Sequence, residues 1–175
     1  MLSTSPKSAS EENLDLPIPP WNEADRLDAI ESYGILDTPR EEDFDNIAKL
    51  AAEICTVPIA IVNIVAEGRQ WFKAKVGLEI QETPLVVSIC KYTILQRGVF
   101  VIPDITKDVR FSNNPLVTGV PNLRFYAGAV LETPEGLPIG TMCVLDYKPR
   151  ELTEKEAFTL KILARQVMIQ LEFRR

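Results

Sequence analysis

Apolar residues recur along this chain with two periods, one helical and one extended, and the changeovers fall at caps and turn formers. In "WNEADRLDAIESYGIL", Leu27, Ile30 and Tyr33 are helically spaced behind Asn22, a capping residue, and Gly34 closes the segment. The pattern predicts a short amphipathic helix. In "DTPREEDFDNIAKLAAEIC", Phe44, Ile47, Ala48, Ala51 and Ile54 share one stripe, and Thr38, Pro39 and Glu41 have the spacing of a capping box with proline at the first helical position. A second helix is expected from Pro39 to about Cys55, with an apolar stripe that must cover a sheet.

"PIAIVNIVAEGRQWFKAKVG" supplies two β-rich runs around Glu67 and Gly68, the signature of a hairpin. Asn63 in the first run, and Arg69, Gln70, Lys73 and Lys75 in the second, imply a wet or cavity-facing side. Alternation sends Trp71 and Phe72 to opposite faces. "LEIQETPLV" reads as loop, "SICKYTILQRG" as a short helix closed by Gly98, and "VFVIPD" as a brief strand. The next stretch, "DITKDVRFSNNPLVTGVPN", has no clear period, so this long connection is either functional or has short structure of its own.

"LRFYAGAVLET" and "LPIGTMCVLD" are near-continuous apolar runs separated by "PEG", as expected of central strands. Thr153 and Glu156 form a second capping-box pattern, and the helix they start is expected to run to the last residue with Leu160, Leu163, Val167 and Leu171 as a seam. That seam suits either a core helix or, through Val167, Leu171 and the first helix, a parallel helical dimer. Antiparallel hairpins with helices collected at both termini predict an α+β domain with the helices on one face.

Composition narrows the chemistry. At 175 residues the chain can bury one core, so a single domain over residues 21–175 is expected behind a flexible lead-in at residues 1–20, which mixes Ser, Pro and acidic residues without apolar periodicity. A net charge of -6 repels polyanions and argues against nucleic acid. No apolar run is long enough for a membrane span and no secretory leader is evident, so no membrane partner is expected and the cytoplasm is the expected compartment. The three cysteines, Cys55, Cys90 and Cys143, lack CxxC spacing, which favours reduced thiols over a disulfide framework or a structural zinc site. The chain contains no histidine, which removes Ser-His-Asp and Cys-His mechanisms and the commonest transition-metal ligand. No catalytic or metal site is expected, and no cofactor is identified.

The candidate binding residues are Cys90, Asp104, Arg110, Asn114, Arg124 and Tyr126. Arg110 and Arg124 can clamp a carboxylate or phosphate, with Asn114 and Tyr126 supplying further polar groups. The alternative is a local network in which Asp104, Asp108 and Arg110 pair and Asn113 and Asn114 shape the bend before Pro115. Cys90 is either a reactive thiol beside a pocket or an inert packed one.

The blocks "ILDTPREEDFDNIAKLAAEI", "RQWFKAKVGL", "VIPDITKDVRFSNNPLVTGVPNLRFYAGAVL", "GLPIGTMCVLDYKPRELTEKE" and "LARQVMIQLEFR" resemble, in order, GAF domains at the N-terminus of bacterial sensor histidine kinases and diguanylate cyclases. The resemblance implies five or six antiparallel strands, terminal helices packed on one face, and a loop-covered pocket on the other. It implies a non-catalytic sensory or regulatory domain of a two-component type system. Such a domain would take a small ligand, form a homodimer through terminal helices, and signal to a kinase or cyclase domain in trans or beyond this chain. Bilin-binding relatives carry Cys followed by His, and subgroup relatives read S-F-C-x-H; here Lys91 and Tyr92 follow Cys90. The N-K-x-F-D-E type motif of cyclic-nucleotide binders is absent. A cysteine-dependent reductase of the free methionine sulfoxide type is the alternative, and a bilin photoreceptor a more distant one.

Overall fold

Two apolar runs that must be buried on both sides set the centre of the sheet. The computed structural model describes residues 17–175, so the first sixteen residues of the expected lead-in lie outside them. Helix α1 (Glu23–Tyr33) begins at Asn22, whose side chain accepts from the Asp25 N–H, and ends at left-handed Gly34. Helix α2 (Glu42–Cys55) follows, then β1 (Ile59–Val65), β2 (Arg69–Val76) and β3 (Glu82–Pro84). A short helix α3 (Cys90–Thr93) leads to β4 (Val99–Ile102), and the long connection carries a 3-10 turn at Ile105–Lys107 and a single helical turn, α4 (Pro115–Thr118). The chain closes with β5 (Phe125–Glu132), β6 (Pro138–Asp146) and α5 (Glu154–Glu172).

The six strands pair in the order β3-β2-β1-β6-β5-β4, every ladder antiparallel. The two apolar runs, β5 and β6, are interior strands as expected, and "LEIQETPLV" supplies the edge strand β3 that its loop-like composition concealed. Helices α1, α2 and α5 pack on one face, where Phe44, Ala48 and Ala51 of α2 and Leu160, Leu163, Val167 and Leu171 of α5 join Val62, Trp71, Ala127, Met142 and Val144 in one core. Val167 and Leu171 are buried there, so they are unavailable as a dimer seam: the heptad-like spacing serves the sheet. The exposed stripe of α5 is formed by Phe158, Ile162, Ile169 and Phe173 instead. Among the described residues no helix is long and apolar enough to cross a membrane.

Capping chemistry explains both a match and a miss. Thr153 and Glu156 form the reciprocal box at the start of α5, each bonding the other's backbone N–H. Thr38 and Glu41 do not cap α2, which starts at Glu42 with no side-chain cap. Their polar groups serve Lys73. A bulge in β2 pairs Val62 with Ala74 and Asn63 with Phe72, leaving Lys73 as the extra residue. Its buried ammonium donates to Thr38 Oγ1 at 2.9 Å and to the Pro39 carbonyl at 2.6 Å, and pairs with Glu41 at 2.5 Å. Arg26 is equally hidden from a stripe-based reading: it is 2% exposed, pairs with Glu23, and donates to the Val65 carbonyl at 2.7 Å and the Pro138 carbonyl at 3.4 Å. These two buried cations fasten the first two helices to the sheet.

Candidate functional site

The strand residues that alternate away from the helices point toward α3, α4 and the long connection. Ile59, Ile61 and Asn63 of β1, Gln70 and Phe72 of β2, Tyr126 of β5, and Cys143 and Leu145 of β6 form the floor of a cavity of about 80 Å3. Leu78, Ile80 and Thr83 close one side, Val87, Ile89 and Cys90 another, and Leu116, Pro121 and Leu123 form the cover. Common ligand pockets are roughly 300–1,000 Å3, so in this conformation the space suits a very small molecule and not a nucleotide or a tetrapyrrole.

Most of the wall is apolar, and the polar groups gather in two connected sets. In the first, Asn63 Nδ2 donates to Gln70 Oε1 at 3.2 Å, Ser88 donates to the same oxygen at 2.8 Å, and Gln70 Nε2 donates to Thr83 Oγ1 at 2.5 Å. The pattern joins both amides through Gln70 Oε1. It leaves Asn63 Oδ1 buried without a hydrogen-bond partner among the described residues. In the second, the Tyr126 hydroxyl lies 2.8 Å from Thr93 Oγ1 and 3.2 Å from Cys90 Sγ, and Thr141 donates to Cys90 Sγ at 3.2 Å. Gly128 makes room for that tyrosine, because a Cβ there would sit 2.5 Å from the hydroxyl oxygen.

Of the six residues expected at the site, Cys90 and Tyr126 line this cavity and meet each other. The other four lie outside its wall, and of these Asn114 and Arg124 bond to the Leu116–Leu123 cover. Asp104 caps the 3-10 turn by accepting from Thr106, and borders a separate polar groove with Lys107 and Arg150. Arg110 pairs with Asp108 at 2.7 Å and lies over the rings of Tyr92, Phe100 and Phe111. Asn114 caps α4 through Leu116 N–H and donates to the Val87 carbonyl, tying the cover to the segment before α3. Arg124 donates to the carbonyls of Val117 and Leu123 in the same loop. Asn63 and Gln70 belong to the site although only their polarity inside a strand pattern signalled it.

The GAF domain family model matches residues 39–171. This chain belongs to the GAF domain family. It is 42% identical over 153 residues to a cyclic di-GMP phosphodiesterase of Pseudomonas aeruginosa, a match that covers 87% of this chain and spans 26% of that protein's length. Among solved structures, the GAF domain of an Acinetobacter phosphoenolpyruvate-protein phosphotransferase superposes with a TM-score of 0.64 at 17% identity, covering 86% of this chain and 93% of that one. The blue-light absorbing form of the Thermosynechococcus elongatus PixJ GAF domain gives 0.61 at 17% identity, covering 75% and 83%. Those two likenesses establish the shared fold.

Within this GAF fold the three thiols have different surroundings. Burial, the largest influence on Cys90, pushes its thiol up, but the neighbouring groups of Cys143, Thr141, Tyr126 and Asn63 stabilise the thiolate and bring it from an ordinary 9.0 down to about 7. Cys143 is pushed well above its ordinary value by the neighbouring Cys90 and by burial. Cys90 is therefore the more acidic member of the pair. Cys55, at the end of α2 in the helix-side core, is pushed up to about 11 by burial and by the nearby Glu156 carboxylate.

Proposed function

We propose that this GAF domain is a non-catalytic sensory module in bacterial signalling, which receives a small, mainly apolar ligand carrying one hydrogen-bond donor. The observation that carries the reading is Asn63 Oδ1, which has no hydrogen-bond partner among the described residues and belongs to a residue in the wall of a mainly apolar cavity. A buried acceptor left unpaired costs about 1–3 kcal/mol, and a ligand N–H or O–H placed against it removes that cost. Ligand occupancy favours one arrangement of α3 and the Leu116–Leu123 cover, and the shared strands pass the change to α5. The phosphodiesterase relative supports a signalling setting, with the output domain in trans or in further sequence.

Native mass spectrometry of freshly purified protein tests this reading. A small copurified ligand should be present in the wild type and lost in Asn63→Leu while circular dichroism shows an unchanged fold. An empty wild type that no small metabolite fraction stabilises against heat would overturn it.

The homodimer belongs to the same proposal, through the outer faces of the terminal helices. Phe158 and Phe173 are 64% and 82% exposed, Ile162 and Ile169 lie between them along α5, and Leu50 and Ile54 of α2 are exposed as well. A second copy offers a matching stripe across a twofold axis. Sedimentation should show a dimer that Phe158→Glu converts to monomer; a monomeric wild type at high concentration removes the dimer. A cysteine-dependent reductase is the second reading, favoured by the presence of Cys90 and Cys143 in one cavity wall, and measured turnover of a methionine sulfoxide would establish it.

A further inference from the structure

Cys90 and Cys143 are brought together from distant parts of the chain. One is the first residue of α3 and the other lies in the middle of β6, yet both line the same cavity and pack in one cluster with Tyr126. Cys90 Sγ also accepts from Thr141, and the Tyr126 hydroxyl stands 3.2 Å away with its position set by Thr93. Thiolates are the reactive form of cysteine, and hydroxyl groups directed at sulfur stabilise them. Two thiols that share one small cavity, with a hydroxyl at hand, have what a two-step oxidation needs. The third cysteine, Cys55, packs on the opposite face of the sheet and provides an internal comparison.

We infer that Cys90 and Cys143 form a hydroperoxide-sensitive thiol pair that closes to an intramolecular disulfide. The cavity, at about 80 Å3, admits hydrogen peroxide or a short alkyl hydroperoxide and excludes bulky ones. In the first step the Cys90 sulfur attacks the distal oxygen of the hydroperoxide. An S–O bond forms, the O–O bond breaks, and the departing oxygen leaves as water or alcohol after taking the proton released from the thiol. In the second step the Cys143 sulfur attacks the Cys90 sulfenic acid. An S–S bond forms, the S–O bond breaks, and water leaves with the Cys143 proton. The two sulfurs together lose two electrons and the hydroperoxide gains them. The product ties the start of α3 to the centre of the sheet. The raised acidity of Cys90 agrees with its role as the attacking sulfur.

The test is a thiol count on the full chain after exposure to hydrogen peroxide in the native state, with cumene hydroperoxide as the bulky probe. Alkylation in denaturant should find three free thiols before hydrogen peroxide treatment and one, Cys55, afterwards. A peptide map without reductant should recover the Cys90 to Cys143 linkage, and cumene hydroperoxide should react at least tenfold more slowly. In Cys143→Ser the sulfenic acid should persist on Cys90 and be captured by a 1,3-dicarbonyl reagent. Retention of all three thiols under conditions that oxidise glutathione overturns the inference, as does a linkage that contains Cys55. If Cys143→Ser does not fold, the map of the wild-type chain decides alone.

Discussion

Neighbouring residues of the same strands build two unlike environments. Toward the helices, Val62, Ile64, Trp71, Ala127, Met142 and Val144 meet α1, α2 and α5 in a continuous apolar core. Toward the loops, Ile61, Asn63, Gln70, Tyr126, Thr141 and Cys143 surround or adjoin a cavity with polar groups and thiols in its wall. The first face is held by area and close packing, and the second by a small number of directed contacts. Packing and the proposed sensing are thus separated by the thickness of one sheet. A substitution on the helix face should therefore act on folding, and one on the loop face mainly on thiol chemistry and ligand retention.

The largest expected effect lies on the helix face. Leu160→Ala removes a fully buried side chain and should lower unfolding free energy by about 2–5 kcal/mol in denaturant titration. Leu123→Ala, in the cavity cover, should cost less than half of the same measured loss, because the void already exists there. Equal losses would show that the two faces are packed alike. Next in size is Gly128→Ala, whose methyl group meets the Tyr126 hydroxyl and should cost about 1–3 kcal/mol while displacing that ring.

Tyr126→Phe is milder in stability, about 1 kcal/mol, but sharper in chemistry. Because hydrogen bonding to the thiolate lowers the Cys90 value, losing this hydroxyl must raise it. The pH at which iodoacetamide reactivity of Cys90 sets in should move upward from about 7, while Cys55 continues to react only toward about 11. An unmoved Cys90 profile would remove the hydroxyl from the account of its acidity. The smallest effect is expected for Arg110→Ala, no more than about 1 kcal/mol, since its partner Asp108 lies beside it in a solvent-accessible loop. Ligand retention in native mass spectrometry should be unchanged by it, and loss of ligand would bring Arg110 into the site.

The helix face was the more legible in the sequence because it follows periodicity. Phe44, Ala48 and Ala51 of the α2 stripe, the seam of α5 as a core seam, and the Asn22 and Thr153 caps all come from local spacing and have the structural role it predicts, while Ile54 of the α2 stripe is exposed. The exceptions are residues whose partners are distant in the chain: Thr38 and Glu41 satisfy Lys73 from another element, and Arg26 reaches carbonyls of β1 and β6. The loop face depends almost entirely on such distant pairings. Asn63 and Gln70 were visible as polar residues within strand patterns, yet their mutual contact depends on the register across β1 and β2. Arg110, Asn114 and Arg124 attracted attention by their chemistry, but their short-range partners place them in the support of the cover.

Strand β6 runs between β1 and β5, and its side chains alternate between the two environments, Cys143 and Leu145 in one, Met142 and Val144 in the other. The backbone that carries a thiol is thus also the backbone against which a helix rests. No relay of intervening side chains is required for communication, since a displacement at Cys143 is inherited by Val144 through the peptide bond that joins them. Signal and scaffold here are consecutive letters of one strand, and the shortest route from chemistry to shape is a single residue long.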